Sequence, residues 1–188
     1  SDEWGWGTQQ QIKLSAADHV KTDWYVIHDS KDFYKEPVSI TDFVDQGKCM
    51  IAQRPGFNCP GEQADVWLSG TDHNFLAEFN NAYRLFNLDI MQAKTIIRAN
   101  FSSSLFVANT DMIRKLNREL EKRFGMLSQD LFLGKLLFTE YALISAWHEI
   151  NSALDLYSRV DQLRSGALYR KVGMDKDLRG KRPRAEKK

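Results

Sequence analysis

The sequence predicts a mainly α fold: a bundle of three long amphipathic helices with a small irregular or α+β region at its N-terminal end. Three observations carry this reading. Apolar residues recur with a period near 3.6 from Thr71 onward, and Leu136, Leu143, Ile150 and Tyr157 repeat every seven residues. Three of the four prolines (Pro37, Pro55 and Pro60) and both cysteines precede position 70. The chain therefore divides into an irregular, short-strand region over 1–70 that packs on the bundle, the bundle itself over 71–166, and a basic tail over 167–188.

Apolar runs in the first seventy residues are short and bounded by turn formers. The stretch from Asp23 to His28 is rich in aromatic and branched residues and reads as a strand, with Cys49 to Ala52 and Asp65 to Leu68 as shorter ones. Between them, Ser39 is placed to cap a helical turn that Gly47 ends. The opening Trp4-Gly5-Trp6-Gly7 reads as a frayed terminus folding onto the core.

In the bundle, Phe75, Phe79, Ala82, Tyr83, Phe86, Ile90, Met91 and Ile97 fall on one stripe and predict a helix from about Thr71 to Ala99. A second helix is predicted after Asn109-Thr110-Asp111. Met112, Ile113, Leu116, Leu120 and Phe124 share its inner face, and Gly125 is its stop. The third is predicted from Ser128 to about Arg164, with Trp147 and Leu154 completing the spacing that packed long helices need. Its first half is apolar on nearly all sides, so it is either surrounded by its own domain or covered by a partner.

Of 188 residues, 43% are hydrophobic and 27% charged, enough to build a packed core. The net charge is +1, but the stretch from Arg164 to Lys188 carries ten basic and three acidic residues. No run is long and apolar enough for a transmembrane helix; Lys135 and Glu140 interrupt the best one. Cys49 and Cys59 either form a short-loop disulfide, which implies an oxidising compartment, or are two unrelated thiols in a reducing one. The acidic start at Ser1 tips the expected location toward export or the periplasm over the cytoplasm.

Chemistry-bearing patterns are sparse. Cys49, Cys59, His28 and His73 lack the paired spacing of a zinc site, and no Glu-x-x-His occurs around Glu140, His148 and Glu149. Glu140 is therefore expected to meet Lys135 or a basic residue on a neighbouring helix, and His148 to be partly exposed. Phosphate-binding glycine loops and a nucleophile elbow are both missing, so neither a cofactor nor a metal is predicted.

The leading functional expectation is a non-enzymatic structural or protein-interaction component of a larger assembly. It binds a protein partner or itself through the apolar face of Leu136, Leu143, Trp147, Ile150, Leu154 and Tyr157. In architecture alone such a chain is similar to minor-pilus or adhesin-like components of bacterial secretion machines, which implies an exported part of surface machinery. A second expectation is a nucleic-acid-binding protein whose Arg179, Lys181, Arg182, Arg184, Lys187 and Lys188 neutralise phosphates. A third is an enzyme with a site around His19, His28, Asp29, Cys49 and Cys59, which requires at least two of them to converge in a pocket.

Overall fold

The computed structural model describes residues 2–28, 32–34, 36–55, 73–93, 95–97, 106–125, 139–160 and 172–174. They form a mixed α+β fold and not the bundle of three long helices that the periodicity predicts. Four helices are present: α1 (Asp2–Ser15), α2 (His73–Leu85), α3 (Thr110–Phe124) and α4 (Glu140–Ile150). Around them lie eight strands: β1 (Trp24–Ile27), β2 (Asp32–Tyr34), β3 (Val44–Asp45), β4 (Lys48–Pro55), β5 (Thr95–Ile97), β6 (Phe106–Asn109), β7 (Tyr157–Val160) and β8 (Val172–Met174).

The N-terminal stretch read as frayed is helical. Gln10, Lys13, Leu14 and Ala17 are its buried stripe, at the 3–4 spacing of a helix face, while Ile12 on the other side stays exposed. A helix leaves its last carbonyls without intrahelical donors, and here side chains from elsewhere in the fold supply them. Tyr25 Oη donates to the Lys13 carbonyl at 3.3 Å and Asn117 Nδ2 to that of Leu14 at 3.0 Å. Just past the helix, Arg114 Nε and Nη2 donate to the carbonyls of Ala17 and Val20 at 2.9 and 2.7 Å.

The helix expected over 71–99 ends early. Asn87 takes a left-handed conformation at φ 59°, and the Leu88 amide turns back to the Tyr83 carbonyl. Asp89 then caps a short 3-10 turn over Ile90–Gln92, and the chain continues as β5. Phe79, Ala82, Tyr83 and Phe86 keep the predicted stripe and are buried. The second helix lies where its pattern falls: Asn109 Oδ1 accepts from the Met112 amide, and Gly125, at φ 81°, closes the far end.

The third helix is much shorter than predicted. Residues 126–138, including Ser128 and Leu136, lie outside the described ones; α4 itself starts at Glu140 behind the cap Thr139. It stops at Asn151, and Ser152 at φ 51° turns the chain into a 3-10 segment, Ala153–Leu156, and then β7. Tyr157 continued the seven-residue repeat by coincidence: it is the inward side chain of a strand, which buries a residue at that spacing as readily as a helix does. The likeness to pilus and adhesin components depended on the bundle and goes with it.

β1 pairs antiparallel with β6, β2 with β8, and β4 with β3 and β5. β7 joins β4 in parallel, with Cys49 opposite Tyr157. The β3–β4 hairpin turns through Gln46 and Gly47, both at positive φ, which is the backbone a two-residue turn between twisted strands requires. At the centre of these elements sits α4, touching α1, α2, α3 and β5. Ala142, Leu143, Ile144, Ser145 and Ala146 are buried in succession, so the helix is enclosed all round by its own chain. Burying Leu143 and Ile144 contributes roughly 1.5–3 kcal/mol each.

No helix among the described residues is long and apolar enough to cross a membrane. One substitution isolates a backbone term. A Cβ added at Gly125 meets nothing within 4 Å, so Gly125→Ala is expected to cost about 1 kcal/mol purely from its left-handed φ. Urea unfolding should show a lower midpoint at unchanged slope.

Candidate functional site

The apolar face predicted to meet a partner is divided by the fold. Leu143 and Tyr157 are core residues, and Trp147, half-buried, packs at 5.5 Å on Phe86 and donates Nε1 to the Met112 carbonyl. Ile150 remains 45% exposed at the end of α4, with Leu156 39% exposed after the turn. Leu154 falls in the 3-10 segment between them, and Leu136 lies outside the described residues. The tail residues Arg179, Lys181, Arg182, Arg184, Lys187 and Lys188 lie outside them as well.

Three residues of the enzyme reading, His19, His28 and Cys49, are among the described ones. His19 and His28 are exposed, and His28 makes an edge contact with Tyr34. Cys49 is a buried free thiol whose pKa burial pushes up to about 11, which disfavours the reactive thiolate. Asp29 and Cys59 lie outside the described residues. His148, expected to be partly exposed, is fully buried because α4 is enclosed on every side. Among the described residues no group of three His, Cys, Asp or Glu side chains is placed to hold a metal.

The structure brings together a different set. A cleft of about 250 Å³ opens between residues 21–24, which lead into β1, and residues 109–111 with Arg114, which begin α3. Its two walls are tied to each other. The Thr110 amide donates to the Asp23 carbonyl at 2.9 Å, and Thr110 Oγ1 to the Thr22 carbonyl at 2.7 Å. Thr22 Oγ1 in turn donates to the Trp24 carbonyl. Arg114 fixes the approach to the first wall through the Ala17 and Val20 carbonyls, which leaves Nη1 uncommitted. Asp111 is paired with Lys115 at 2.7 Å, whereas Lys21 and Asp23 have no ion-pair partner among the described residues. Both threonine hydroxyls are spent on the walls. The cleft therefore presents opposite charges on a fixed backbone, with Trp24 in its lining.

A second polar group is buried where α1 meets the start of α4. Lys13 Nζ lies 2.8 Å from Glu140 Oε1, with the two side chains 9% and 1% exposed, and 5.3 Å from the centre of the Tyr141 ring. Gln10 Oε1 accepts from the Glu140 amide, one of the donors that a helix start leaves open. Lys13 and Glu140 are 127 positions apart, so no sequence spacing could reveal the pair. The cleft had a partial signal: Asn109-Thr110-Asp111 reads as a helix start, but what faces it does not follow from sequence.

Fold and cleft define the class: a mixed α+β domain with an open polar cleft between a strand entry and a helix start. The chain belongs to DUF6492, described as a family of unknown function, whose family model matches residues 4–171. The match takes in every helix but the first residues of α1 and leaves the basic residues 179–188 outside it. No curated protein and no solved structure matches the chain.

Breaking a buried ion pair is costly because it strands one charge, while replacing both members with apolar groups is often neutral. Lys13→Met alone is therefore expected to destabilise by about 3–5 kcal/mol, and the double variant Lys13→Met, Glu140→Met to recover most of that. Chemical unfolding of the two single variants and the double one checks this. Purely additive losses would mean that the two side chains are not coupled.

Proposed function

We propose that this chain is a non-catalytic recognition domain of a larger assembly, and that the cleft between residues 21–24 and the start of α3 seats a charged segment of a protein partner. The observation that carries the reading is the pair of opposite charges, Lys21 and Asp23, which have no ion-pair partner among the described residues and stand on a wall tied to Thr110 by hydrogen bonds. Size decides between a small molecule and a peptide segment. Small-molecule sites generally occupy about 300–1,000 Å³ and are mostly apolar; this cleft is smaller, open and polar. It suits one or two side chains projecting from a partner surface, with Trp24 and Arg114 supplying the residue types enriched at interfaces.

A second reading, an enzyme, is favoured by the buried Lys13–Glu140 pair. Charges removed from water seldom stabilise a fold on balance, and ionisable pairs in low dielectric are characteristic of acid–base centres. Both groups bond to protein partners, and the cleft does not reach them. Recognition is therefore the reading we carry forward.

The test is amide chemical-shift mapping on the whole chain with short peptides of acidic, basic, mixed-charge and apolar composition. Charged peptides are expected to shift residues 21–24 and 109–114, apolar ones to leave them unmoved. Lys21→Ala should weaken the binding of acidic peptides about two- to five-fold, the scale of an exposed ion pair. Shifts confined to α1 and the start of α4 would instead favour the enzymatic reading, and no shift with any charged peptide at millimolar concentration would overturn the proposal.

A further inference from the structure

His148 and Tyr157 are joined in the core where α4 meets β7, and the roles of their atoms are fixed by their neighbours. The Ile144 carbonyl, 2.7 Å from His148 Nδ1, can only accept, so Nδ1 carries the proton. Nε2 is then an acceptor, and Tyr157 Oη, 3.1 Å away, donates to it. The same hydroxyl oxygen accepts from the Asn109 amide at 3.2 Å. Neutral histidine satisfies every member of this set.

Tyr157 is the plug of the segment that follows α4. Its ring is buried, stands edge-on to Trp24 at 5.1 Å, and lies opposite Cys49 in the ladder. β7 pairs with β4 alone among the described strands, and the turn before it passes through Ser152 at φ 51°. Elsewhere the segment is held by Lys48 Nζ on the Asp155 carbonyl, an exposed contact.

We infer that His148 and Tyr157 form an acid-sensitive catch, in which protonation of His148 releases the segment from Ala153 to Val160 from β4. Protonation makes Nε2 a donor, so the Tyr157 hydroxyl must turn its hydrogen away into the core, where it loses its acceptor. Among the described residues the new cation meets no buried counter-charge, and Asp155, on the 3-10 segment packed against α4, is exposed to solvent. β7 offers Tyr157 and β4 offers Cys49. β1 contributes Tyr25, β6 only the Asn109 backbone. On α4 itself, Glu140 is paired with Lys13, and the charge of Glu149 acts on Tyr83. Burial holds Tyr157, Tyr25 and the Cys49 thiol neutral by raising all three.

The same burial lowers His148 to about 4, against 6.5 for a free side chain. Its folded-state pKa is thus depressed, so the contribution is fully present above about pH 6.5 and is lost progressively as pH falls toward 4. Between pH 7 and pH 5 the opening equilibrium is expected to rise about 20-fold.

Hydrogen exchange of the intact chain, corrected for intrinsic rates, tests the catch. The β7 amides should be less protected than those of α3 and exchange about 20-fold faster at pH 5 than at pH 7. His148→Gln, which keeps a neutral donor and acceptor, should flatten that dependence. A ring-carbon NMR titration of wild-type His148 stands in should that variant not fold, with a midpoint expected near 4. The inference is overturned by β7 protection that does not change from pH 7 to pH 5, by a titration midpoint near 6.5, or by β7 and α3 sharing one protection level, which is global unfolding.

Discussion

The enclosure of α4 is the constraint on which the rest of the structure depends. A helix buried without a break from Ala142 to Ala146 needs apolar cover around its middle, and α1, α2, α3 and β5 are arranged to give it. It also brings polar groups into the core that must be satisfied there. Three lie along its length: Glu140 at the start, Ser145 in the middle and His148 near the end. Each draws in a partner from another element. Glu140 takes Lys13 and Gln10 from α1, Ser145 shares a hydrogen bond with Tyr83 of α2, and His148 takes Tyr157 of β7. These contacts specify which elements pack where, while the surrounding Leu, Ile and Ala side chains supply most of the burial energy.

The two buried ionisable groups on α4, Glu140 and His148, have different surroundings. Glu140 has a counter-charge, the Lys13 ammonium at 2.8 Å. For His148 desolvation by burial favours the neutral ring and lowers its pKa to about 4, with the Ile144 hydrogen bond opposing the shift. Tyr83 makes the same point, pushed up to about 12 by burial, with the charge of Glu149 adding to the shift and the Ser145 hydrogen bond opposing it. Desolvation sets the direction for both rings.

Much of the local structure was legible in the sequence, and the parts that were not share a cause. The caps of α3 and its stripe from Met112 to Leu120 are short-range chemistry, and the structure puts the helix between Asn109 and Gly125, with Phe124 exposed and not on the inner face. β1 falls within the stretch of aromatic and branched residues, and Ser39 and Asp42 form a capping box around a 3-10 turn. Periodicity failed where a stripe ran on past its helix. Ile90 and Ile97 extend the pattern of α2 through a 3-10 turn and a strand, and Tyr157 extends that of α4. A buried side chain has one sequence signature whatever backbone delivers it, and the stops at Asn87 and Ser152 are non-glycine residues at positive φ, which composition does not announce. α1 was missed for the opposite reason: Gly5 and Gly7 lower its propensity, and its stability comes from tertiary donors to its last carbonyls.

The same dependence on distant partners explains the cleft. Arg114 and Asn117 occupy one side of α3, and both donate to carbonyls at or just beyond the end of α1. Residues 17–20 are thereby fixed against α3, and the chain between them and β1 has to pass over the first turn of that helix. Lys21 and Asp23 stand on that passage, and the Thr110 bonds to the Thr22 and Asp23 carbonyls hold it down. The cleft is therefore a product of how α1 is capped, and its charges are presented on backbone that was already ordered by folding. A partner that binds there does not meet the entropy of ordering those loops, which is why a small, open and polar depression is a credible seat for a charged segment.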